Sequence, residues 1–379
     1  MDFDLSEEQS LLKDSIERLL KDRYGFEQRK AVLASAEGYS AEMWRGFAEM
    51  GLTALPFAEA DGGLGGGPVE TAIVMEALGG AISLEPYLAT VVLGGGFVRL
   101  GGSDAQKAAL IPAIASGELK LAFAQVERNS RFDLHHVETT ARKSGSGWTL
   151  DGKKFVVVGA PSADRLIVTA RTAGGARDEA GIGVFLVDAA AKGVSIRAHA
   201  NQDGQRAAEV TLEGVAAEAI GDPANGLPLV RRVVDAAIAA LCAEAIGVMS
   251  AMHVLTVEYL KVRKQFGVPI GSFQVLQHKA VDMFVAIEQA RSITLYATTL
   301  ADSEDDAERT RAMHAAKAEI GRAGRIVGEN AIQLHGGVGM TMELAIGHYF
   351  KRMAMINLTF GDDAHHLAAL AAMGGLMAA

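Results

Sequence analysis

The sequence predicts an α+β chain in three consecutive blocks: an N-terminal α-helical domain (1–118), a middle antiparallel β domain (119–222) and a C-terminal antiparallel four-helix bundle (223–379). Three observations carry this prediction. Apolar residues recur at helical spacing up to Gly117, give way to short runs rich in β-branched side chains up to about residue 222, and return to helical spacing from Leu227 onward. Helices and strands are thus segregated, which argues against an alternating, parallel doubly wound sheet. A chain of 379 residues has room for two or three domains, each with its own interior.

The elements follow in order. Ser6 and Gln9 form a predicted capping box, and Leu12, Ile16, Leu19 and Leu20 fall on one face of the helix it opens. Further helical windows fall at about 41–50, 69–84, 87–101 and 104–116. Between them, GGLGGG (62–67) invites a dinucleotide fingerprint, but no apolar strand precedes it and no acid follows at the required distance, so it reads as a flexible loop. The middle block contains KLAFAQV, WTLDGKKFVVVG, DRLIVTAR, GIGVFLVD and EVTLEG, with Asp151-Gly152 as a turn signal. Four long helical patterns then run to the end, broken at 267–272, 304–306 and 335–339. In RKQFGVPIGSFQVLQHKAVDM (263–283) one helix is expected to end at Gly267, with Arg263 and Phe266 in its last turn. Ser272 then caps a helix that carries Phe273, Leu276, Ala280 and Met283 on one face.

Composition narrows the function. A net charge of −10 without a basic block argues against nucleic acid and for small molecules or proteins as partners. The lone Cys242 lies in an apolar run, which predicts a buried thiol, no disulfide and a reducing, cytoplasmic setting. The opening MDFDLSEEQ is acidic and lacks a signal peptide's basic start. The apolar stretch 236–257 is bounded and broken by Asp235, Glu244 and Glu258, so no membrane span is expected. The crowded NLTFGDDAHHL (357–367) is not read as a metal site, because neighbouring side chains on a helix diverge by about 100°. It is read as a polar helix start with Asp362 or Asp363 as the cap.

Two motifs carry a resemblance. R-x-x-F-G followed by F-Q (Arg263, Gln265, Phe266, Gly267, Phe273, Gln274) and Q-x-x-G-G (Gln333, Leu334, His335, Gly336, Gly337) make the chain resemble the acyl-CoA dehydrogenase family, whose segment order it shares along essentially its whole length. The resemblance implies the acyl-CoA dehydrogenase fold, FAD as cofactor, an acyl-CoA substrate oxidised to the 2,3-enoyl-CoA, an electron-transfer flavoprotein as acceptor, and a homo- or heterotetramer. In such tetramers the arginine turn and the double-glycine loop hold the adenosine and pyrophosphate end of a neighbouring subunit's FAD. The chemistry agrees, since a guanidinium makes charge-assisted bonds to a pyrophosphate and glycines let backbone amides approach it. His335 and His278 are read as packing residues.

The chain also departs from the family it resembles. VERNSRFD (126–133) stands where the family has T-E-P-G-A-G-S-D, and VVV (156–158) where it has W-I-T. Glu127 and Asp133 match, but Val126, Val157 and Val158 bring no side-chain hydrogen bond to a flavin. Phe360 falls where the family's I-Y-E-G-T carries its glutamate base, and a phenyl ring accepts no proton. The other base position used in the family falls near Ala237. Asp235, Glu244, Asp362 and Asp363 are the nearest acids to the two positions. Elements serving a neighbour's FAD are kept and those serving the chain's own flavin are lost, so the chain resembles the small subunit of bacterial heterotetramers acting on pimeloyl-CoA or steroid side-chain thioesters. The alternatives are a self-sufficient homotetramer with a non-standard carboxylate and a flavin-free acyl-CoA binding or scaffold protein.

Overall fold

A computed structural model describes residues 5–145 and 147–374. The elements run α1 (Glu7–Arg23), α2 (Phe26–Ala34), α3 (Ala41–Glu49), α4 (Pro68–Ala81), a π-helical stretch (Leu88–Gly94) that continues into α5 (Gly95–Gly101), and α6 (Asp104–Ala115). Strands β1 (Leu121–Ala124), β2 (Thr140–Ser144), β3 (Gly147–Val158), β4 (Arg165–Arg171), β5 (Ile182–Asp188), β6 (Val194–Ala200) and β7 (Arg206–Ile220) follow. The long α7 (Leu227–Val262) leads to a two-strand hairpin, β8 (Lys264–Gln265) and β9 (Val268–Pro269). Helices α8 (Gln274–Leu300), α9 (Asp306–His335), α10 (Ala345–Leu358) and α11 (Asp363–Ala372) complete the chain. Compactness follows contacts rather than chain order: one unit comprises residues 1–30, 68–83 and 238–379, the other 31–67 and 84–237.

The first unit is helical. Ser6 and Gln9 form the expected reciprocal cap of α1. Helices α4 and α7 meet at Gly79 and Gly247, where an added Cβ would collide with the Glu244 and Glu76 carbonyl oxygens respectively. Gly247→Ala therefore forces the two backbones apart and is expected to lower stability by about 1–3 kcal/mol; an unchanged urea midpoint would refute this packing account. Arg29 is buried, donating to the carbonyl of Ile82, which holds a positive φ of 46°, and bonding His348 Nδ1 at 3.0 Å. Helix α7 runs unbroken through Asp235 and Glu244, as the helical pattern from Leu227 predicts. The helix is long and apolar enough to cross a membrane, yet 89% of its most apolar window is buried inside the fold. Cys242 is fully buried on it, and burial pushes its thiol up to about 12.

The second unit contains the sheet. Its order β1-β4-β2-β3-β7-β5 closes on itself because β5 also pairs with β4, and β6 lies on the free side of β7. Pairing is antiparallel except where β4 runs beside β1 and touches β2 at Thr140. Inward side chains such as Leu150, Val168, Phe185 and Val210 form its core. Asp151-Gly152 is not a hairpin turn: it lies within the long β3, where the register against β7 shifts. A glycine bulge kinks a strand without ending it. GGLGGG is likewise no loose loop, since the amides of Gly63, Leu64, Gly65 and Gly66 bond carbonyls of residues 54–58, and a Cβ on Gly63 would strike the Phe57 backbone.

Candidate functional site

The α7 helix ends at Val262, earlier than the sequence suggested, and the next seven residues form a hairpin. Lys264 pairs with Pro269 and Gln265 with Val268, leaving Phe266 and Gly267 as a two-residue turn with φ of 53° and 83°. Two positive φ values are what the favoured hairpin turns demand. Phe266 pays the conformational cost and stands 91% exposed, edge-on to Phe273 at 6.2 Å between ring centroids. Ser272 does not cap α8. Its hydroxyl donates to the Pro269 carbonyl, and Phe273 occupies the cap position without a side-chain bond.

This geometry brings together two motifs some seventy residues apart in the chain. Arg263, Gln265, Gln333, Leu334, Gly336 and Gly337 line one groove of about 960 Å³ in the helical unit. Gly336 ends α9 at φ 65°, and a Cβ placed on it or on Gly337 would meet nothing within 4 Å, so the backbone there is open to a ligand. Phe273 and Gln274 do not line the groove. His278 is exposed on α8 rather than packed. The sequence reading missed Tyr259, one helical turn before Arg263 and therefore on the same face. His335 proves to line the groove as well as being buried, so packing is not its sole environment.

The β unit presents a different picture. Glu127 is buried with Lys154 at 2.7 Å, and its carboxylate also accepts from the amides of Glu138 and Thr139. Burial raises its pKa, but the Lys154 charge and these bonds outweigh it and hold the carboxyl below its ordinary range. Asp133 accepts from the His135 amide and pairs with His135 and Arg177. Both acids therefore organise the 126–139 loop. Val126 passes its carbonyl to the Phe155 amide, Val156 holds φ 50° at a bulge, and Val157 is buried. Val126, Val157 and Val158 carry no side-chain hydrogen-bond donor.

At the third position, Phe360 adopts φ 58° and Gly361 φ 122°. The buried Lys317 fastens this turn, donating to the carbonyls of Asn357 at 2.9 Å and Gly361 at 2.7 Å. Burial draws the Lys317 ammonium down to about 8. Each of the four candidate acids has a structural partner. Glu244 is clamped by Arg352 through both oxygens, at 2.6 and 2.7 Å, with each side chain 5% exposed. Asp362 caps α11 through the His365 amide, Asp363 pairs with Arg325, and the buried Asp235 is already engaged. The histidines of this segment meet His314 of α9, with His314 Nδ1 2.7 Å from His366 Nδ1. Among the described residues no group of three or more His, Cys, Asp or Glu could hold a metal ion.

Comparisons with known proteins agree with the two motifs. Residues 6–118, 122–215 and 224–374 match the models for the N-terminal, middle and C-terminal domains of acyl-CoA dehydrogenase. The chain is 29% identical over 378 residues to a probable acyl-CoA dehydrogenase, YngJ, of Bacillus subtilis, covering 96% of this chain and 97% of that protein. It is 30% identical over 322 residues to the acyl-CoA dehydrogenase FadE12 of Mycobacterium tuberculosis, covering 81% of each. Among solved structures, a variant of the Tcur3481-Tcur3483 steroid ACAD superposes with a TM-score of 0.89 at 30% identity over 97% of both chains. A FAD complex of PigA gives 0.91 at 25%, covering 99% of this chain and all of that one. The chain belongs to the acyl-CoA dehydrogenase family, whose members are oxidoreductases acting on CH–CH bonds.

Proposed function

We propose that this chain is a partner subunit of a heteromeric, FAD-linked acyl-CoA dehydrogenase, completing the FAD site of a catalytic sibling that converts an acyl-CoA to its 2,3-enoyl-CoA. FAD bound in that sibling would supply the hydride acceptor, with an electron-transfer flavoprotein taking its electrons. The observation that carries the reading is an asymmetry within one chain. The groove, which Glu258 and Glu343 also line, holds a cation in Arg263, an amide side chain in Gln333, and backbone free of Cβ atoms at Gly336-Gly337, the groups that suit the phosphate end of a dinucleotide. The chain's own flavin and base positions hold Val126, Val158 and Phe360, and every nearby acid is otherwise committed. Likeness to a steroid ACAD named for two chains supports a heteromeric assembly.

In this role Arg263 binds the phosphates and Gln265 and Gln333 orient them, while Phe266 stands exposed at the hairpin tip against Phe273. Phe273 and Gln274 support the hairpin from the start of α8. Val126, Val157 and Val158 mark a flavin face that no longer serves. The test is the visible spectrum and native mass of this chain alone and after co-expression with a second acyl-CoA dehydrogenase-like chain from the same source. The expected result is a colourless lone protein and a mixed tetramer with roughly half the flavin per chain of a homotetramer. A yellow homotetramer bleached by an acyl-CoA would overturn the proposal. In the mixed complex, Arg263→Ala is expected to weaken FAD binding on the order of ten- to a hundredfold, the worth of a charge-assisted hydrogen bond. Full retention of FAD by that variant would equally count against it.

A further inference from the structure

We propose that His348 is a positioning residue for the groove: as a neutral imidazole it links the buried Arg29 to the Met342 carbonyl and so holds the 336–344 segment, and a second proton on the ring loosens that segment. What the groove receives rests on the half-site reading above. The link itself is a property of this chain's own helical unit.

The 336–344 segment joins α9 to α10, and its Gly336, Gly337, Val338, Glu343 and Leu344 line the groove. Helix α10 opens without a side-chain cap at Leu344. His348, one turn into that helix, reaches back instead, with its Nε2 3.2 Å from the Met342 carbonyl. Its Nδ1 lies 3.0 Å from Nη1 of Arg29 on α2. A guanidinium only donates and a carbonyl only accepts, so Nδ1 supplies the lone pair and Nε2 carries the proton. The two neighbours thus select one neutral tautomer. The ring is 4% exposed and Arg29 1%, and Phe26, which also lines the groove, meets the ring edge-on with centroids 5.0 Å apart. Arg29 is anchored in turn by its Nε bond of 2.7 Å to the carbonyl of Ile82, whose φ of 46° is strained for a β-branched residue. A ring that only filled space would need neither bond.

A second proton would remove the Nδ1 acceptor and set N–H against the N–H groups of Arg29. The other charges acting on the ring among the described residues are also positive, Lys351 on α10 and Lys30 on α2, the latter paired with Glu27. Glu343, the acid beside Met342, is exposed along the groove. Burial lowers the pKa of His348 from its ordinary value, the Met342 bond opposes that, and Arg29, Lys351 and Lys30 add to the lowering. Opening the segment lets water reach the ring, which then titrates at about 6.5. Because the open form gains a proton that the closed form does not, opening becomes about tenfold more favourable for each pH unit below that value. The link is therefore fully made above about pH 6.5 and weakens as pH falls.

Amide hydrogen exchange across 336–344 in the full chain, corrected for the intrinsic effect of pH, tests the link. The unaltered protein is expected to lose about tenfold in protection between about pH 7.5 and about pH 5.5. His348→Gln, whose amide oxygen accepts and whose amide N–H donates as the neutral imidazole does, keeps its protection at both. His348→Leu, with neither bond, is poorly protected at both. The unaltered protein and His348→Gln share the His314–His366 pair, so the difference between them isolates His348. Equal protection at both pH values in the unaltered protein, or an equally steep fall in His348→Gln, would overturn the proposal, and that comparison decides even where His348→Leu does not fold. FAD titrated into the flavin-free mixed complex at neutral pH is the second readout. His348→Leu is expected to weaken FAD binding and His348→Gln to restore most of it. If Arg263→Ala weakens FAD binding while His348→Leu, with its segment loosened, binds FAD as the unaltered complex does, His348 does not position the groove and the half-site stands. If neither variant changes FAD binding, the half-site reading falls and the exchange result alone decides the link.

Discussion

Arg352→Met is expected to destabilise the protein by about 3–5 kcal/mol, the usual consequence of removing one partner of a buried ion pair. Arg352 on α10 donates Nε and Nη2 to the two oxygens of Glu244 on α7, and both side chains are almost wholly buried. Taking away the guanidinium leaves a carboxylate without water or partner. Replacing both residues, as Glu244→Met with Arg352→Met, removes the orphan charge and is expected to recover most of the loss. Urea denaturation of the two single variants and the double variant closes the cycle. A single-variant loss below about 1 kcal/mol would mean that water reaches the site. The same cycle bears on function: a carboxylate needed to hold two helices together is unsuited to shuttle a proton.

The second large effect is loss of stability in weak acid. Burial, then the charge of Lys317 and the neighbouring His314 and His365, push His366 down to about 2; burial, then His365, lower His314 to about 4. An unfolded histidine titrates near 6.5. Between that value and the folded one, the unfolded chain binds a proton that the folded chain does not, so stability is present above about pH 6.5 and falls as pH drops. The slope is roughly 1.4 kcal/mol per pH unit from His366 alone, with His314 adding in the same direction. Geometry gives an independent reason: two Nδ1 atoms 2.7 Å apart hold one proton between them, and a second would set N–H against N–H. Asp362 and Asp363 are acids facing this cluster; Asp362 accepts from the His365 backbone amide and Asp363 pairs with Arg325. The urea midpoint should therefore fall steadily from pH 6.5 to 5, above the range where carboxylates titrate, and His366→Leu should flatten the curve. A midpoint constant over that window would defeat the argument.

Both effects depend on partners that lie far off in the sequence. Glu244 looked like an interruption of an apolar helix and a stand-in base; its partner Arg352 lies 108 residues away, and no local pattern announces such a pair. The crowded acids and histidines at 362–366 were read correctly as a helix start, with Asp362 as the cap. The same stretch could not reveal His314, which arrives from α9. Asp151-Gly152 carries a turn's composition, yet β7 pairs on both sides of it and turns it into a bulge.

By itself the sequence determined the order of helical and strand segments, the cap at Ser6, the burial of Cys242 and the two motifs that place the chain in its family. All of these are written in short-range spacing, which periodicity, capping and turn chemistry make legible. Tertiary structure alone decided that Arg263 and Gly336-Gly337 share one groove, that Tyr259 and His335 wall it, that Glu244 is tied to Arg352, and that Lys317 fastens the Phe360 turn. Each of these joins residues from different helices. Which buried polar group meets which is set by how whole helices pack, because an unpaired one is too costly to leave, and that choice is made over the fold rather than along the chain.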